Sequence, residues 1–164
     1  MKILVTYFSR SGQTKKVAEA IYEAIPYLKE IQEMNHVECI DEYDITFVGF
    51  PIEKYGPGDN VREWLTRIVA GKNVAIFVTH AAPRSNRDLH KWLDACSKAA
   101  NTANLLSQFN CQGELSEAFV NMASMIPDPM VKAFARERPN TMGHPTTDEL
   151  DEAKTWCENV LRMI

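Results

Sequence analysis

The stretch Ser9-Arg10-Ser11-Gly12-Gln13-Thr14 lies between two segments of different periodicity. The residues before it, Lys2 to Phe8, form a short apolar run rich in β-formers, which predicts a buried strand. The residues after it, Lys15 to Ile21, place apolar side chains at helical spacing. Such a turn directs free backbone N–H groups and the positive end of a helix dipole toward one point. The stretch therefore predicts an anion-binding loop at the start of the first helix.

The side chains of this loop suit a phosphate. Ser9, Ser11 and Thr14 can supply three hydroxyl donors. Gly12 lets the backbone bend and come close to a ligand. Arg10 adds a cation that can pair with a phosphate or point to water. The alternative interpretation is a serine-rich helix cap that holds no ligand.

At these residues the chain resembles the flavodoxin family, whose phosphate loop reads Thr/Ser-x-Thr/Ser-Gly-x-Thr directly after the first strand. The resemblance implies FMN as the cofactor, with its terminal phosphate held by Ser9 to Thr14, which we call loop 1. Arg10 departs from the pattern because the usual loop is uncharged. This departure leaves open whether another phosphorylated ligand binds.

Composition excludes several classes of protein. The 164 residues and 45% hydrophobic content fit a single domain, 1–164. A net charge of -4, from 18 Lys and Arg against 22 Asp and Glu, argues against nucleic acid as a partner. No apolar run approaches the roughly 20 residues of a membrane span. The first strand begins at the start of the sequence, so we expect no signal peptide and a cytoplasmic location.

The four cysteines are far apart in the sequence and form no CxxC pair. This spacing predicts neither a zinc site nor a disulfide scaffold, and we expect no metal ligands. Cys111 could serve as a redox thiol, but a buried structural cysteine is the simpler interpretation.

Strands and helices alternate along the chain. Strands are predicted at 2–8, 27–31, 45–50, 72–79 and 108–112, and the main helices at 13–25, 60–69, 86–103 and 147–162. The alternation predicts an α/β fold, a three-layer, doubly wound, five-stranded parallel sheet. The resemblance implies the flavodoxin-like order 2-1-3-4-5. Ligands then bind beyond the carboxyl ends of the strands, at the switch between strands 1 and 3, a rule for which flavodoxin is itself an established example.

Two more loops reach that edge of the predicted sheet. The resemblance implies that both lie against the isoalloxazine ring of the flavin. Together with loop 1, whose members are Ser9, Arg10, Ser11, Gly12, Gln13 and Thr14, they complete the predicted cofactor site. The residues that they contribute are Pro51, Ile52, Glu53, Lys54, Tyr55, Gly56, His80, Ala81, Ala82 and Pro83.

Two side chains in these loops have alternative roles. Tyr55 could stack on the flavin ring or pack on the body of the protein. His80 could stabilise a reduced flavin anion when protonated, or it could be a hydrogen-bonded structural residue at the end of a strand.

The segment from Glu114 to His144 is long for a connection between a strand and the last helix. Its sequence predicts helices interrupted by prolines, with one apolar side rich in methionine. We call it the insert. It could pack over the end of the sheet as core, or it could form a lid or docking surface over the flavin.

These features favour an FMN-binding electron-transfer protein in which no side chain acts as a catalyst. The alternative is an FMN-dependent reductase of a quinone, a tetrapyrrole or another small acceptor, with the insert forming the substrate pocket. A third class is a module without redox activity that binds only phosphate. The expected partners are redox proteins or a small-molecule acceptor, and the chain could be a monomer or a dimer.

Overall fold

The computed structural model describes residues 1–164, and most of its strands belong to one parallel sheet. These strands are β1 (Lys2–Tyr7), β2 (Leu28–Glu33), β3 (Ile45–Glu53), β5 (Asn73–His80) and β6 (Asn104–Gln112). A two-residue strand, β4 (Gly56–Pro57), pairs antiparallel with the end of β3. The spatial order is β2-β1-β3-β5-β6, with all of these neighbours parallel. Apart from β4, this is the predicted order 2-1-3-4-5, and the fold class is confirmed.

The helices cover both faces of the sheet. They are α1 (Gln13–Ala24), α2 (Asp59–Ile68), α3 (Leu89–Ala99), α4 (Glu117–Met125), α5 (Pro129–Arg136), α6 (Arg138–Thr141) and α7 (Thr147–Leu161). Buried side chains of α1 and α7 pack on one face, and those of α2 and α3 pack on the other. None of the helices is long and apolar enough to cross a membrane.

Each central strand contributes side chains to two separate cores. Ile3 and Val5 of β1 face α1 and α7, whereas Leu4 faces α2 and α3. Both faces of a parallel sheet are covered, so these strands read as continuous apolar runs. Gly49 is required by close packing, because a Cβ atom there would lie 2.0 Å from the ring of Phe77.

The last strand is longer than predicted. It begins at Asn104 instead of Gln108, and α3 ends at Ala99 where the sequence predicted helix to Ala103. Asn104 and Leu105 pair with the start of β5, at Asn73 and Val74. Pairing with a neighbouring strand therefore decides the conformation of this segment, which local helical spacing does not reveal.

A β-hairpin replaces the expected open loop after β3. The strand continues to Glu53, and Glu53 pairs with Gly56 across a two-residue turn. Both turn residues, Lys54 and Tyr55, have positive φ angles, 48° and 71°. Positive φ at both central positions is typical of the type I′ turns that join twisted strands, although glycine or asparagine usually occupies them.

The insert is anchored at its two ends. The N–H of Glu114 donates to the carbonyl of His144 at 2.9 Å, and the N–H of Leu115 donates to Oγ1 of Thr141 at 3.0 Å. Between these ties, α4 and α5 pack on each other, with the rings of Phe119 and Phe134 edge to face at 5.7 Å.

Core packing is the wrong interpretation for the methionines of the insert. Met125 is 85% exposed and Met130 is 69% exposed, and α5 has no buried residue. Leu115 and Ala123 are the buried apolar residues that join the insert to the rest of the protein. The apolar side of the α4–α5 pair therefore faces outward.

Candidate functional site

The loops after β1, β3 and β5 lie together because these parallel strands end at the same edge of the sheet. The chain leaves β1 toward β2 on one side and returns as β3 on the other, which creates the predicted switch point. The N–H of Phe8 donates to the carbonyl of Gly49 at 2.8 Å. This bond continues the β1–β3 ladder to the residue before loop 1 and fixes where the loop begins.

Loop 1 presents several unused backbone donors. Gly12 has φ of 89°, and Oγ of Ser9 accepts the N–H of Gly12 at 3.1 Å and of Lys15 at 3.4 Å. The N–H groups of Ser11, Gln13 and Thr14 have no acceptor in the protein. The first turn of a helix lacks intrahelical acceptors, so these groups are available to an anion.

The hydroxyl of Thr14 is buried and contacts the sheet. Thr14 is 2% exposed, and its Oγ1 lies 2.8 Å from Oγ1 of Thr79, the residue before the end of β5. The bond fastens the first turn of α1 to the sheet. The Thr14 hydroxyl therefore already has a partner in the protein, and its donation to a phosphate stays a prediction, as does contact through its backbone N–H.

The side chain of Arg10 is 64% exposed and pairs with a carboxylate of the hairpin. Its Nε atom donates to Oε1 of Glu53 at 2.5 Å, and its guanidinium lies 5.1 Å from the ring centroid of Phe8. The hydrogen bond to Glu53 raises the pKa of Arg10 further above its ordinary value. The pair connects loop 1 to the hairpin that follows β3.

Tyr55 at the tip of that hairpin packs on the protein. Its ring lies 5.2 Å from the ring of Trp92 on α3, at an interplanar angle of 43°. The outer part of Tyr55 stays accessible, since the residue is 58% exposed. Tyr55 therefore has a protein partner, and a face that could also contact a planar ligand.

The loop after β5 is built around a buried histidine. His80 is 5% exposed, its Nδ1 lies 2.8 Å from the carbonyl oxygen of Ala82, and its Nε2 lies 3.0 Å from Oδ1 of Asn110. A carbonyl oxygen can only accept, so Nδ1 carries the proton. In a neutral ring Nε2 is then an acceptor, which requires the side-chain amide of Asn110 to turn its N–H group toward it. Burial lowers the pKa of His80, which keeps the ring neutral at pH 7. These contacts favour the structural role.

The remaining predicted residues lie around this buried ring and the hairpin. Pro51 pairs with Thr79 in the sheet, and Ile52 pairs with Pro57 of β4. The carbonyl of Ala81 accepts from the side chain of Gln112 at 3.0 Å. Loop 1, the hairpin and the loop after β5 thus share one edge, as predicted.

Three partners of the site were missed from the sequence. They are Thr79, Trp92 and Asn110, which bond or pack with Thr14, Tyr55 and His80 respectively. Thr79 carried a weak signal, because it is a polar residue near the end of an otherwise apolar strand. The other two lie on different elements from their partners, and no sequence spacing links them.

The thiol at the end of β6 is not activated. Burial raises the pKa of Cys111 to about 12, so its thiol stays protonated at neutral pH. The chain brings together no group of three or more His, Cys, Asp or Glu side chains that could hold a metal ion.

Comparison with known proteins agrees with this geometry. A family model described as "Flavodoxin domain" matches residues 4–158. The Flavodoxin-like domain-containing protein BilS of Clostridioides difficile is 28% identical over 173 residues, which cover 98% of this chain and 97% of that protein.

Solved structures with low sequence identity share the fold. The Streptococcus pneumoniae TIGR4 flavodoxin is 11% identical with a TM-score of 0.64, and the match covers 100% of both chains. A Lactobacillus acidophilus flavoprotein, solved in complex with FMN, is 22% identical with a TM-score of 0.53 over 66% of this chain and 92% of its own. With its family match, its strand order and the loop at its switch point, this chain belongs to the flavodoxin family.

Proposed function

We propose that this protein binds FMN at the edge formed by loop 1, the hairpin and the loop after β5, and carries electrons between redox partners in the cytoplasm. The observation that carries the proposal is the set of free N–H groups of Ser11, Gln13 and Thr14 at the switch point. Support also comes from membership of the flavodoxin family. Bound FMN would supply reversible one- and two-electron redox chemistry.

The residues of loop 1 fit a phosphate group. Its free donors converge at the start of α1, and Gly12 keeps the approach clear, because a Cβ atom there would meet nothing within 4 Å. The buried, unpartnered amide oxygen of Gln13 is an acceptor and would not itself bind the anion. Ser9 and Ser11 add hydroxyl groups that can donate to an anion.

The other two loops would hold the ring and keep water from it. Pro51 to Gly56 and His80 to Pro83 are the segments that border this side of the sheet. The exposed face of Tyr55 offers an aromatic surface, and the small side chains of Ala81 and Ala82 let a flat ring approach backbone amides. His80 would act by fixing the shape of its loop, since its ring nitrogens contact the carbonyl oxygen of Ala82 and the side-chain amide of Asn110.

The test is a comparison of two flavins by fluorescence titration of the purified protein. FMN should bind more tightly than riboflavin, which lacks the phosphate, and should give the bound protein the absorbance bands of a flavin. Ser11→Ala removes one hydroxyl donor to a charged acceptor, so FMN affinity should fall by on the order of 1.5 kcal/mol while riboflavin affinity changes little. Equal losses for both ligands would show that loop 1 does not hold the phosphate.

A second experiment separates a carrier from an enzyme. The protein would be reduced and then mixed either with an electron-accepting protein or with a small quinone or tetrapyrrole. Rapid oxidation by a protein acceptor with no sustained turnover of small acceptors is the expected result for a carrier. Steady turnover of a small acceptor would favour the reductase instead.

A further inference from the structure

Arg10 is the only cation within loop 1, and a carboxylate occupies it in the structure. Its Nε lies 2.5 Å from Oε1 of Glu53, and its Nη2 lies 3.3 Å from Oε2. Two parallel contacts of this kind form the bidentate geometry that guanidinium groups prefer with carboxylates and phosphates. A phosphate in loop 1 would therefore compete with Glu53 for the same donors.

The side chain of Glu53 is less exposed and more closely packed than that of Arg10. Its side chain is 27% exposed, against 64% for Arg10. A Cβ atom on Gly58 would lie 2.7 Å from Oε2 of Glu53, so the carboxylate lies against the backbone at the start of α2. A helix N-terminus stabilises a negative charge. The carboxylate has reason to stay at this position whether or not Arg10 is bound to it.

We infer that Glu53 is a specificity-determining residue, which withholds Arg10 from the ligand so that loop 1 binds phosphate through neutral donors alone. The inference rests on the proposed FMN site. The ion pair contributes no net charge next to the phosphate. The site therefore prefers FMN to riboflavin less strongly than it would if Arg10 were unpaired.

The two single variants should change the affinity for FMN in opposite directions, because each removes a different charge of the ion pair. Glu53→Gln frees a guanidinium to bind the phosphate, whereas Arg10→Gln leaves a carboxylate that repels it. The double variant removes both charges and restores a neutral surrounding. If the ion pair only held loop 1 against the hairpin, both single variants would instead bind FMN and riboflavin more weakly.

The experiment measures dissociation constants of FMN and riboflavin and takes the ratio of riboflavin to FMN for each variant. Glu53→Gln should raise this ratio on the order of tenfold, and Arg10→Gln should lower it several-fold. The double variant should lie near the wild type. Both single effects should shrink as ionic strength rises, because the groups are partly exposed.

Glu42→Gln is the matched control. It changes the net charge by the same amount as Glu53→Gln, but Glu42 pairs with Lys2 at the start of β1, the opposite end of the sheet from loop 1. Its ratio should equal that of the wild type. Riboflavin affinity reports whether each variant still folds a flavin site.

Two results would overturn the inference while leaving the proposed function intact. One is an unchanged or lower ratio in Glu53→Gln, and the other is an equal loss of both flavins in both single variants. A wild-type protein that binds no FMN would overturn the proposed function and this inference together.

Discussion

The environment of His80 predicts that the stability of the fold depends on pH. Burial lowers its pKa below the ordinary value of 6.5. The unfolded chain therefore binds a proton more readily than the folded protein does, so protonation favours unfolding. The contribution of His80 to stability is complete above about pH 6.5 and declines as the pH falls below that value.

Urea unfolding at pH 7.5 and pH 5.5 tests this response. The wild type should lose more stability across that interval than His80→Gln, which has no titrating ring. His90→Gln, at an exposed position on α3, is the control for replacing a histidine with glutamine. Equal slopes in the wild type and His80→Gln would mean that the ring is not held in its neutral form.

Glu149 responds in a lower pH range. Burial opposes ionisation of its carboxyl group, but hydrogen bonds from the N–H of Thr146 and from His144 lower its pKa below the ordinary value. Its stabilising effect is present above about pH 4.5 and is lost as the pH falls through the lowered pKa. The contributions of His80 and Glu149 can therefore be distinguished by the pH range in which the free energy of unfolding falls.

At the scale of elements, the hairpin after β3 contains identifiable backbone strain. Lys54 has φ of 48°, a region that costs a residue with a Cβ atom on the order of 1 kcal/mol. Lys54→Gly should therefore raise the free energy of unfolding by up to about 0.5 kcal/mol, after the entropic cost of glycine, about 0.5–1 kcal/mol, is subtracted from the strain relieved. Lys54→Ala is the control, because it keeps the Cβ atom and should bring no gain. Unfolding in urea measures both.

This hairpin also shows where sequence reasoning stops. The strands at 45–50 and 72–79 could be predicted because burial on both faces leaves an apolar run. The turn at Lys54 and Tyr55 could not, because neither residue favours positive φ and it is the pairing of Glu53 with Gly56, together with the contact of Tyr55 with Trp92, that holds them there. Contacts across the sheet decide such segments.

The same limit applies within the site. The phosphate loop could be located because its donors and its glycine are consecutive in the sequence. The inward turn of Thr14 and the pairing of Arg10 with Glu53 could not be predicted, because each depends on a residue from a distant strand. Residue types were predictable, whereas the directions of side chains were not.

The insert is the element whose role is most directly testable. Met125→Asp combined with Met130→Asp places two charges on exposed positions, so the free energy of unfolding should change by about 0.5 kcal/mol or less for each. If this face docks a redox protein or covers the flavin, FMN binding should persist while electron transfer to a protein acceptor slows. We expect FMN binding to persist and electron transfer to slow, because a methionine-rich surface adapts well to a partner.

Leu115→Asp serves as the contrasting variant for the insert. Leu115 is 8% exposed, and a charge there should lower stability by several kcal/mol. If the double methionine variant also loses several kcal/mol, its face must be buried in solution. If its stability and electron transfer both match the wild type, the insert is a passive surface segment.

At the scale of the whole molecule, charge is distributed without a dominant sign near the site. The net charge is only -4 over 164 residues. Arg10 pairs with Glu53 beside loop 1, and Arg84 pairs with Glu152 beside the loop after β5. The insert is nearly balanced, with four acidic residues, Glu114, Glu117, Asp128 and Glu137, against three basic ones, Lys132, Arg136 and Arg138.

This balance predicts weak electrostatic steering. Steered association is fast because a large field of one sign attracts the partner, and salt then slows it steeply. Here the local fields largely cancel, so association should depend on apolar contact more than on long-range attraction. Cytochrome c is a suitable probe, since it is a strongly basic acceptor protein and would report any acidic surface around the site.

The measurement is the second-order rate at which cytochrome c oxidises the reduced protein, followed by stopped flow from about 0.01 M to about 0.15 M ionic strength, where the Debye length falls from roughly 30 Å to roughly 8 Å. The rate should change only a few-fold. Arg84→Gln leaves Glu152 without its partner and should make the decline with salt steeper. A steep decline in the wild type would show that an acidic surface dominates docking, and would contradict the cancellation of charges around loop 1 and the insert.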